Sequence, residues 1–370
     1  MSRIKILFII PTLGGGGSER VFSTLANTID PSVFEPIFVI LDSRHDFYTF
    51  DESRVRVVRF QQASIKFGFS VIRQIVREVR PHIIISTLNH LNLMMALMRF
   101  ALPRDIRYIA RESSIVSINQ QNLRSPRLYG LLTRWFYPYF DRIICQSNDM
   151  KTDFTANFGL LENQLSVINN PVNTAKIWEK SLEKPTDNSI ESCQKPHFVT
   201  VGRLDFAKGI DRLLIVLSKL DFDFSFDIIG EGIEMENLKN QAKSLKINEK
   251  VRFLGSQKNP FPFVAAADVF LFGSRYEGFP NVLIEAGACG TPIVAFACKG
   301  GITEILRGDG DNGFAVLDGD FAAFENAIRR AITTNFDRQK IKNLTDERFG
   351  EAQILKKYEA VFLELTPSVF

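Results

Sequence analysis

A chain of 370 residues, 45% of them hydrophobic and 24% charged, has the composition of a soluble globular protein and room for about two domains. It contains no run of about 18 apolar residues, which excludes a predicted membrane-spanning helix, and its first apolar run leads into a glycine loop instead of a cleavage site. The net charge is +3 and no nucleic-acid-binding motif occurs, so nucleic acid is not an expected partner. We expect a cytoplasmic protein.

The positive charge lies in the first half of the chain, where residues 1–170 hold about 20 basic and 14 acidic side chains. The four cysteines are spread singly, with no pair at the spacing of a metal site or a redox motif. We interpret them as reduced thiols: Cys145, Cys193, Cys289 and Cys298.

Strand-length apolar runs alternate with longer helical patterns along the chain. The first half contains IKILFII, EPIFVIL, HIIIST, RYIAR and RIICQS. After a polar interruption the rhythm resumes with HFVTVGR, FSFDIIG, VRFLGS, VFLFGS and PIVAF. This alternation is typical of parallel sheets covered by helices. The predicted fold class is therefore α/β, with two Rossmann-like, doubly wound parallel-sheet domains.

The polar interruption, between about residues 168 and 195, is rich in Asn, Lys, Glu, Ser and Pro, and we place the domain boundary near Pro171. The predicted domains are residues 1–170 and 171–350. The final segment, 351–370, is predicted to form an amphipathic helix that packs back on the domains. Its apolar stripe consists of Ile354, Leu355, Tyr358, Val361 and Phe362.

Four glycines, Gly14 to Gly17, separate the first predicted strand from a helix. Such a loop lets backbone N–H groups approach a phosphate, and the helix N-terminus adds partial positive charge. A dinucleotide-binding fingerprint with Asp42 as its ribose acid is the competing interpretation, but a charged residue occupies its third glycine position in either register. A plain turn with Ser18 as N-cap would not need four glycines.

A second candidate anion site follows the strand HFVTVGR. Arg203 and Lys208 flank the short loop of VGRLDFAKG, next to Gly202 and Gly209. Open α/β sheets bind ligands at the carboxyl ends of their strands, and two cations at that position suit a diphosphate. The alternative is two solvated surface cations.

The stretch RYEGFPNVLIEAGACGTPIVA places two carboxylates around a helix start. Pro280 suits the first helical position, which puts Glu277 in the preceding loop and Glu285 in the second turn of a helix over 281–288. Backbone N–H groups from Phe279 to Val282 would then point at an anion. Glu285 suits two adjacent ribose hydroxyls, because a carboxylate buried without donors is costly. Glu277 could reach hydroxyls beyond the phosphates; alternatively, both acids only complement the helix dipole.

Together these motifs resemble the retaining nucleotide-sugar glycosyltransferases of family four, or group 1. The resemblance covers nearly the whole chain and keeps the family's order: GGGGSER, INNPVN, GRLDFAKG, GEGIEMENL, VRFLGS, the E-x7-E motif from Glu277 to Glu285, and GTPIVA. It implies the GT-B architecture, with an inter-domain cleft. It also implies that the first domain binds the acceptor and the second binds the nucleotide sugar.

The family's functional residues fall on matching positions of this chain. The resemblance implies that Arg203 and Lys208 bind the donor diphosphate and stabilise the departing nucleotide, and that Glu277 acts at the donor sugar. Glu285 would bind the ribose. The other donor-side residues would be Gly16, Gly17, Gly278, Phe279, Pro280, Asn281 and Val282, and the base would be flanked by Leu254, Gly255 and Asn259.

Many members carry a histidine near the sugar, where this chain reads YIARESS. Arg111 or Glu112 takes that place on the acceptor and sugar side, which leaves the partner of the sugar's far hydroxyl open. The GG-S-E-R and ARES features are most similar to the subgroup that extends lipid-linked glycans of bacterial surface polysaccharides or glycoconjugates.

The predicted reaction is hexosyl transfer from a UDP-sugar, an N-acetylhexosamine or hexose donor, with retention by front-face attack, because no covalent nucleophile is evident. Negative charge develops on the leaving phosphate, which the cations and helix N–H groups would stabilise. Asp-x-Asp occurs at 221–223, 309–311 and 318–320, in polar connections where Asp is common, so we predict no metal cofactor. The alternatives are a GDP-mannose-dependent mannosyltransferase, an NAD-dependent enzyme and a non-catalytic sugar-nucleotide binder.

The segment NLRSPRLYGLLTRWFYPYFDR mixes arginines with aromatic residues, a combination suited to anionic lipid headgroups. A buried helix with snorkelling arginines is the alternative. We expect peripheral contact with the inner face of the plasma membrane, and a monomer or weak dimer. The residues concerned are Arg124, Arg127, Arg134, Arg142, Trp135, Phe136, Tyr137, Tyr139 and Phe140.

Overall fold

The computed structural model describes residues 3–14, 16–44, 46–61, 65–121, 125–184, 195–307 and 310–367. The chain divides into two units. Unit 1 comprises Met1–Pro171 and Ala352–Phe370, and unit 2 comprises Val172–Glu351. Within the described ranges, no helix combines the length and the apolarity that crossing a bilayer requires.

Unit 1 is built on a sheet in which all neighbouring strands are parallel, in the order β3-β2-β1-β4-β5-β6-β7. Its central strands are continuous apolar runs because helices cover both faces of the sheet. The strands are β1 (Ile4–Thr12), β2 (Phe34–Asp42), β3 (Arg56–Arg59), β4 (Ile83–Thr87), β5 (Arg107–Arg111), β6 (Arg142–Cys145) and β7 (Leu165–Val167).

The helices of unit 1 connect successive strands, as parallel pairing requires. They are α1 (Gly17–Thr28), α2 (Ile65–Val79), α3 (Asn89–Met98), α4 (Val116–Gln120), α5 (Pro126–Phe136) and α6 (Asn148–Asp153). The last helix of the chain, α15 (Glu351–Leu365), packs its apolar stripe into the core of unit 1, where the Phe362 and Phe34 rings lie 5.9 Å apart.

Unit 2 repeats the plan with a second parallel sheet, in the order β10-β9-β8-β11-β12-β13. Its strands are β8 (His197–Val201), β9 (Ser225–Ile229), β10 (Val251–Gly255), β11 (Val269–Phe272), β12 (Ile293–Ala297) and β13 (Gly313–Leu317). Its helices are α7 (Thr174–Ser181), α8 (Ile210–Leu217), α9 (Met235–Ser244), α10 (Phe261–Ala266), α11 (Asn281–Ala288), α12 (Ile302–Ile305), α13 (Phe321–Thr333) and α14 (Arg338–Phe349).

The prediction of an α/β fold with two doubly wound parallel-sheet domains is confirmed. Each sheet has one apolar cluster on each face, which is why its strands are apolar without alternation. In unit 2, β8 lies between β9 and β11, so the loops that follow these three strands meet at one edge of the sheet. That edge carries the donor-side residues that the sequence indicates.

Candidate functional site

The loops after β8 and β11 bring Lys208 and Glu277 together. Lys208 Nζ lies 2.7 Å from Glu277 Oε1, and Ser274 Oγ donates a hydrogen bond of 2.8 Å to the same oxygen. The Lys208 and Glu277 side chains are 25% and 13% exposed, so the pair is partly desolvated yet reachable. Among the residues that the structure describes, these two contacts leave Glu277 Oε2 for a ligand.

A short 3₁₀ turn, Phe206–Lys208, sets the position of Lys208. Asp205 caps this turn, because its Oδ1 accepts a hydrogen bond of 3.2 Å from the Lys208 backbone N–H. Gly209 follows in the left-handed region, with φ +58°, and α8 begins at the next residue. A Cβ on Gly209 would lie 2.0 Å from the Gly273 carbonyl oxygen, so only glycine lets these two strand-end loops touch.

Arg203 extends from the same loop with a side chain that is 81% exposed. Its Nη2 lies 3.6 Å from Asp205 Oδ2, an exposed ion pair that contributes little to stability. The guanidinium can therefore reorient toward a phosphate at small cost, and its two-pronged geometry matches phosphate oxygens.

Helix α11 begins at Asn281, with Pro280 as its N-cap residue, so the predicted helix is present and the proline lies one position earlier than predicted. Phe279 is 6% exposed and its ring lies 5.9 Å from that of Phe349, so only its backbone can face a ligand. Glu285 is half-buried in the second turn. These positions agree with the predicted donor-side geometry, while the predicted ligand contacts stay predictions.

A second close backbone approach fixes the loop that carries Glu277. The Glu277 N–H donates to the Lys299 carbonyl at 3.1 Å, and a Cβ on Gly300 (φ +128°) would lie 2.4 Å from the Glu277 carbonyl oxygen. The loop after β12 thereby contacts the loop after β11 and holds it in place. This support is independent of the Lys208 ion pair.

The predicted base-flanking residues lie at the end of β10. The Gly255 carbonyl accepts a hydrogen bond of 2.8 Å from the Gly230 N–H, and Leu254 is half-buried beside it. The Asn259 side chain forms hydrogen bonds within unit 2: its amide donates to the Lys180 carbonyl at 2.9 Å and to Glu183 Oε2 at 2.8 Å. Its side chain therefore joins the end of α7 to the start of α10, which the sequence did not indicate.

The glycine loop of unit 1 ends with Gly16 as N-cap and Gly17 as the first residue of α1. Ser18 is therefore buried inside the helix and is not the N-cap. A Cβ on Gly14 would meet no described atom within 4 Å, and one on Gly16 would meet only the movable Glu19 carboxylate. Packing within the described residues does not require glycine at 14 or 16; Gly15 lies outside those residues. The predicted phosphate role of Gly16 and Gly17 stays a prediction.

The structure places Arg111 and Glu112 in the interior, where they are 0% and 1% exposed. Arg111 Nε donates to Tyr358 Oη at 3.1 Å, and its Nη2 donates to Asn170 Oδ1 at 2.5 Å. These contacts connect the end of β5 to α15 and to Asn170, near the end of the first stretch of unit 1. Both side chains are buried in this structure, and a contact of either with acceptor or sugar stays a prediction.

Glu112 lies in a buried polar network. Asn92 Nδ2 donates to its Oε1 at 2.6 Å, and the Tyr137 hydroxyl donates to the same oxygen. Asn89 in turn donates to the Tyr137 oxygen at 2.8 Å. Complete burial raises the pKa of Glu112 to about 7, although the hydrogen bonds from Tyr137 and Asn92 act in the opposite direction.

Glu112→Gln is expected to change the pH dependence of unfolding. Between the ordinary pKa of about 4.5 and the folded pKa of about 7, the unfolded chain has lost the proton that folded Glu112 keeps, so wild-type stability falls as pH rises through this range, by roughly 3 kcal/mol. The variant carries no titratable group at this position. We expect its free energy of unfolding, measured in urea across this range, to lack that decline. Parallel curves for the two proteins would contradict the prediction.

Two arginines that the sequence reasoning missed hold the site from inside unit 2. Arg212 is 6% exposed, donates to the Gly273 and Ser274 carbonyls at 3.3 and 3.4 Å, and pairs with Asp318 at 2.5 Å. Arg275 forms a bidentate pair with Asp211 at 2.7 and 2.8 Å. The arginine inside the apolar run IDRLLIVL was the available signal, since a charge on a buried helix face needs a partner.

The acids of the three Asp-x-Asp pairs have structural partners. The ion pairs are Asp221 with Arg329, Asp223 with Lys195 and Lys250, Asp311 with Lys340, and Asp318 with Arg212. Asp320 caps α13, and Asp309 lies outside the described residues. In the part of the chain that the structure describes, no three His, Cys, Asp or Glu side chains cluster to hold a metal ion.

The described cysteines are buried and free, as predicted. Burial raises the pKa of the Cys289 and Cys298 thiols to about 12 and raises that of Cys145 as well. Thiols with such pKa values are protonated and unreactive at neutral pH. Cys193 lies outside the described residues.

The aromatic and basic segment around α5 is divided between core and surface. Tyr137 and Phe140 are buried at 0% and 2%, which corrects their assignment to a lipid contact. Arg142 pairs with Glu364 at 2.5 Å within unit 1. Trp135 and Tyr139 are exposed at 61% and 46%, whereas Arg124 lies outside the described residues.

Comparisons with known proteins identify the family of this chain. A family model described as Glycosyl transferases group 1 matches residues 186–348, and one described as Glycosyltransferase Family 4 matches residues 15–176. A protein of Haemophilus influenzae described as an uncharacterized glycosyltransferase is 30% identical over 319 residues, which are 84% of this chain and 85% of that protein. The chain belongs to the family 4, group 1 glycosyltransferases.

Two further likenesses concern this glycosyltransferase as a whole. An N-acetylgalactosamine-N,N'-diacetylbacillosaminyl-diphospho-undecaprenol 4-alpha-N-acetylgalactosaminyltransferase of Campylobacter jejuni is 28% identical over 353 residues, covering 91% of this chain and 92% of that enzyme. The structure of Anabaena HepE in complex with UDP superposes with a TM-score of 0.79 at 20% identity, covering 98% of this chain and all of the other. The latter likeness supports the GT-B fold of the glycosyltransferase.

Proposed function

We propose that this glycosyltransferase moves a hexose or N-acetylhexosamine from a UDP-sugar to a hydroxyl of a lipid-linked glycan, with retention at the anomeric carbon. The observation that carries the proposal is the Lys208–Glu277 pair, 2.7 Å apart, at the edge where α11 begins. The pair sets a cation beside a carboxylate that can accept hydrogen bonds from sugar hydroxyls. A sugar diphosphate needs both, with the cation at its phosphates and the carboxylate at its sugar.

The chemistry follows from the charge that the reaction develops. As the bond to the anomeric carbon breaks, negative charge grows on the leaving phosphate, and Lys208 and Arg203 stabilise it. Glu277 orients Lys208 through Oε1 and accepts from a sugar hydroxyl through Oε2, while Glu285 accepts from the ribose. The leaving phosphate takes the proton of the acceptor hydroxyl on the same face. The two cations supply the charge, so the reaction proceeds without a divalent metal.

The comparisons support the substrate classes in the proposal. The Campylobacter jejuni relative is named for a diphospho-undecaprenol acceptor, and the HepE neighbour was solved with UDP. A role in synthesis of bacterial surface glycans fits these relatives. A GDP-mannose donor is the second candidate, because the half-buried Leu254 and the neighbouring Gly255 do not select a base by themselves.

The proposed function is tested with a panel of sugar nucleotides in excess chelator. We expect one UDP-sugar to raise the midpoint of thermal unfolding, because a ligand that binds only the folded state stabilises it. The same nucleotide should be hydrolysed slowly without acceptor, and NMR of the glycoside formed on an acceptor hydroxyl should show retained anomeric configuration. An inverted product overturns the mechanism. Activity that vanishes in chelator overturns metal independence, and stabilisation by nicotinamide nucleotides alone overturns the enzyme class.

We further propose that the enzyme works at the inner face of the plasma membrane as a peripheral protein. The lipid-linked acceptor requires the enzyme to reach a bilayer surface, and the excess positive charge of residues 1–170 suits anionic headgroups.

A further inference from the structure

Unit 1 carries an exposed apolar surface that its own core does not explain. Its six side chains are between 46% and 63% exposed, and they come from the end of α3, the 3₁₀ turn Arg99–Ala101, α5 and the turn Tyr137–Tyr139. We call this surface the aromatic ridge: Leu97, Phe100, Leu128, Leu131, Trp135 and Tyr139.

Helix α5 carries a wider apolar surface than the core of unit 1 covers. Tyr129, Leu132 and Phe136 pack against the core of unit 1, as an amphipathic helix requires. Leu128 and Trp135 lie about a right angle around the helix from that side and are exposed although they are apolar, whereas Arg127 and Arg134 lie opposite the core. An apolar surface that the core leaves exposed indicates a further contact.

The parts of the ridge are held in a fixed arrangement. The Phe100 and Tyr139 rings meet edge to face with centroids 4.9 Å apart, and Phe136 lies 6.5 Å from Tyr139. Arg99 Nη1 donates to Asp141 Oδ2 at 2.7 Å and also to the Tyr139 carbonyl, which joins the two turns. The ridge therefore needs little reordering before it binds, which lowers the entropic cost of docking.

The charged side chains within the ridge elements are basic, and the neighbouring acid Asp141 is paired with Arg99 and Arg107. The ridge elements lie in two stretches, residues 79–104 and 113–140, that contain no Asp or Glu. Arg104, Arg127 and Arg134 are exposed within these stretches. Such a surface repels its own copy across a two-fold axis and attracts an anionic one.

We propose that the aromatic ridge is the docking surface of this enzyme for an anionic lipid bilayer; its biological purpose rests on the proposed lipid-linked acceptor. Trp and Tyr are favoured at the boundary between headgroups and acyl chains, and arginines bind lipid phosphates. The leucines and Phe100 supply the apolar surface that enters the bilayer, and Arg127 and Arg134 contact the headgroups.

The experiment measures co-sedimentation with vesicles of phosphatidylcholine, with and without phosphatidylglycerol, and no nucleotide sugar. We expect binding only to the anionic vesicles, with a loss of about tenfold or more in the triple variant Leu128→Ser, Leu131→Ser, Trp135→Ser. Arg127→Gln combined with Arg134→Gln should cost about tenfold on the same vesicles, and salt should weaken the wild type. The matched control replaces three leucines elsewhere that are even more exposed, Leu161, Leu182 and Leu317, by serine and should bind as wild type.

Equal losses in the control and the ridge variant, or undiminished binding of the ridge variant, overturn the proposal. A wild-type dimer in light scattering that the ridge variant converts to monomer also overturns it, in favour of a second copy as the occupant. Donor hydrolysis in solution separates this proposal from the proposed function. The ridge variant should keep that hydrolysis while losing vesicle binding, because its residues lie in unit 1 and Lys208 and Glu277 lie in unit 2.

Discussion

Lys208→Met is expected to lower the rate of sugar transfer by about 10²–10³-fold, with a smaller effect on donor binding. The methionine keeps most of the length of the side chain but removes the charge that stabilises the leaving phosphate, and one such group is typically worth this factor. Steady-state kinetics with the donor found in the nucleotide panel measures kcat and KM. Retention of more than about a tenth of wild-type kcat would exclude Lys208 as a catalytic residue.

Because Lys208 pairs with Glu277, the loss of activity in Lys208→Met can be separated from a loss of stability by a second substitution at Glu277. Without Lys208, the partly buried Glu277 carboxylate keeps, among the described residues, only the hydrogen bond from Ser274, which costs roughly 1–3 kcal/mol of stability. Adding Glu277→Gln should recover much of that stability and none of the activity. Lys250→Met is the matched control, since Lys250 also pairs with an acid, Asp223 at 3.3 Å, but away from the site. It should leave kcat unchanged.

Gly209→Ala is expected to destabilise unit 2 by about 3 kcal/mol or more and to reduce activity in the molecules that still fold. The new Cβ would lie 2.0 Å from the Gly273 carbonyl oxygen, and both partners are backbone, so the two strand-end loops must separate. Separation displaces Lys208 from Glu277, because Lys208 and Ser274 each adjoin one of the touching glycines. Urea unfolding and donor hydrolysis measure the two effects.

Gly319→Ala provides the control for backbone strain alone. Gly319 also lies in unit 2 with a positive φ of +84°, but a Cβ there meets no described atom within 4 Å. This variant should lose only about 1 kcal/mol, the usual cost of the left-handed conformation, and should keep its activity. Equal destabilisation by the two alanines would show that the approach of the loops does not matter.

The predicted site residues fall into two groups in the structure. Lys208 and Glu277 were each predicted from a local motif, a glycine-flanked strand end and a proline-led helix start, and both motifs are present. Arg111 and Glu112 were predicted only from their place after a strand, and both are buried. Position at a strand end does not fix exposure, because the helix that covers it, here α15, lies 247 positions away in the chain.

The sequence by itself determined the α/β class, the two parallel-sheet domains and the local form of the loops that carry Lys208 and Glu277, because these depend on the periodicity of apolar residues and on glycine and proline at single positions. Only the tertiary structure decided which side chains meet. Lys208 and Glu277 are 69 positions apart and pair because β8 and β11 are neighbours in the sheet, an adjacency that strand periodicity does not encode. The aromatic ridge likewise exists only because the ends of α3 and α5 pack together. This packing places exposed apolar side chains from distant parts of the sequence on one surface.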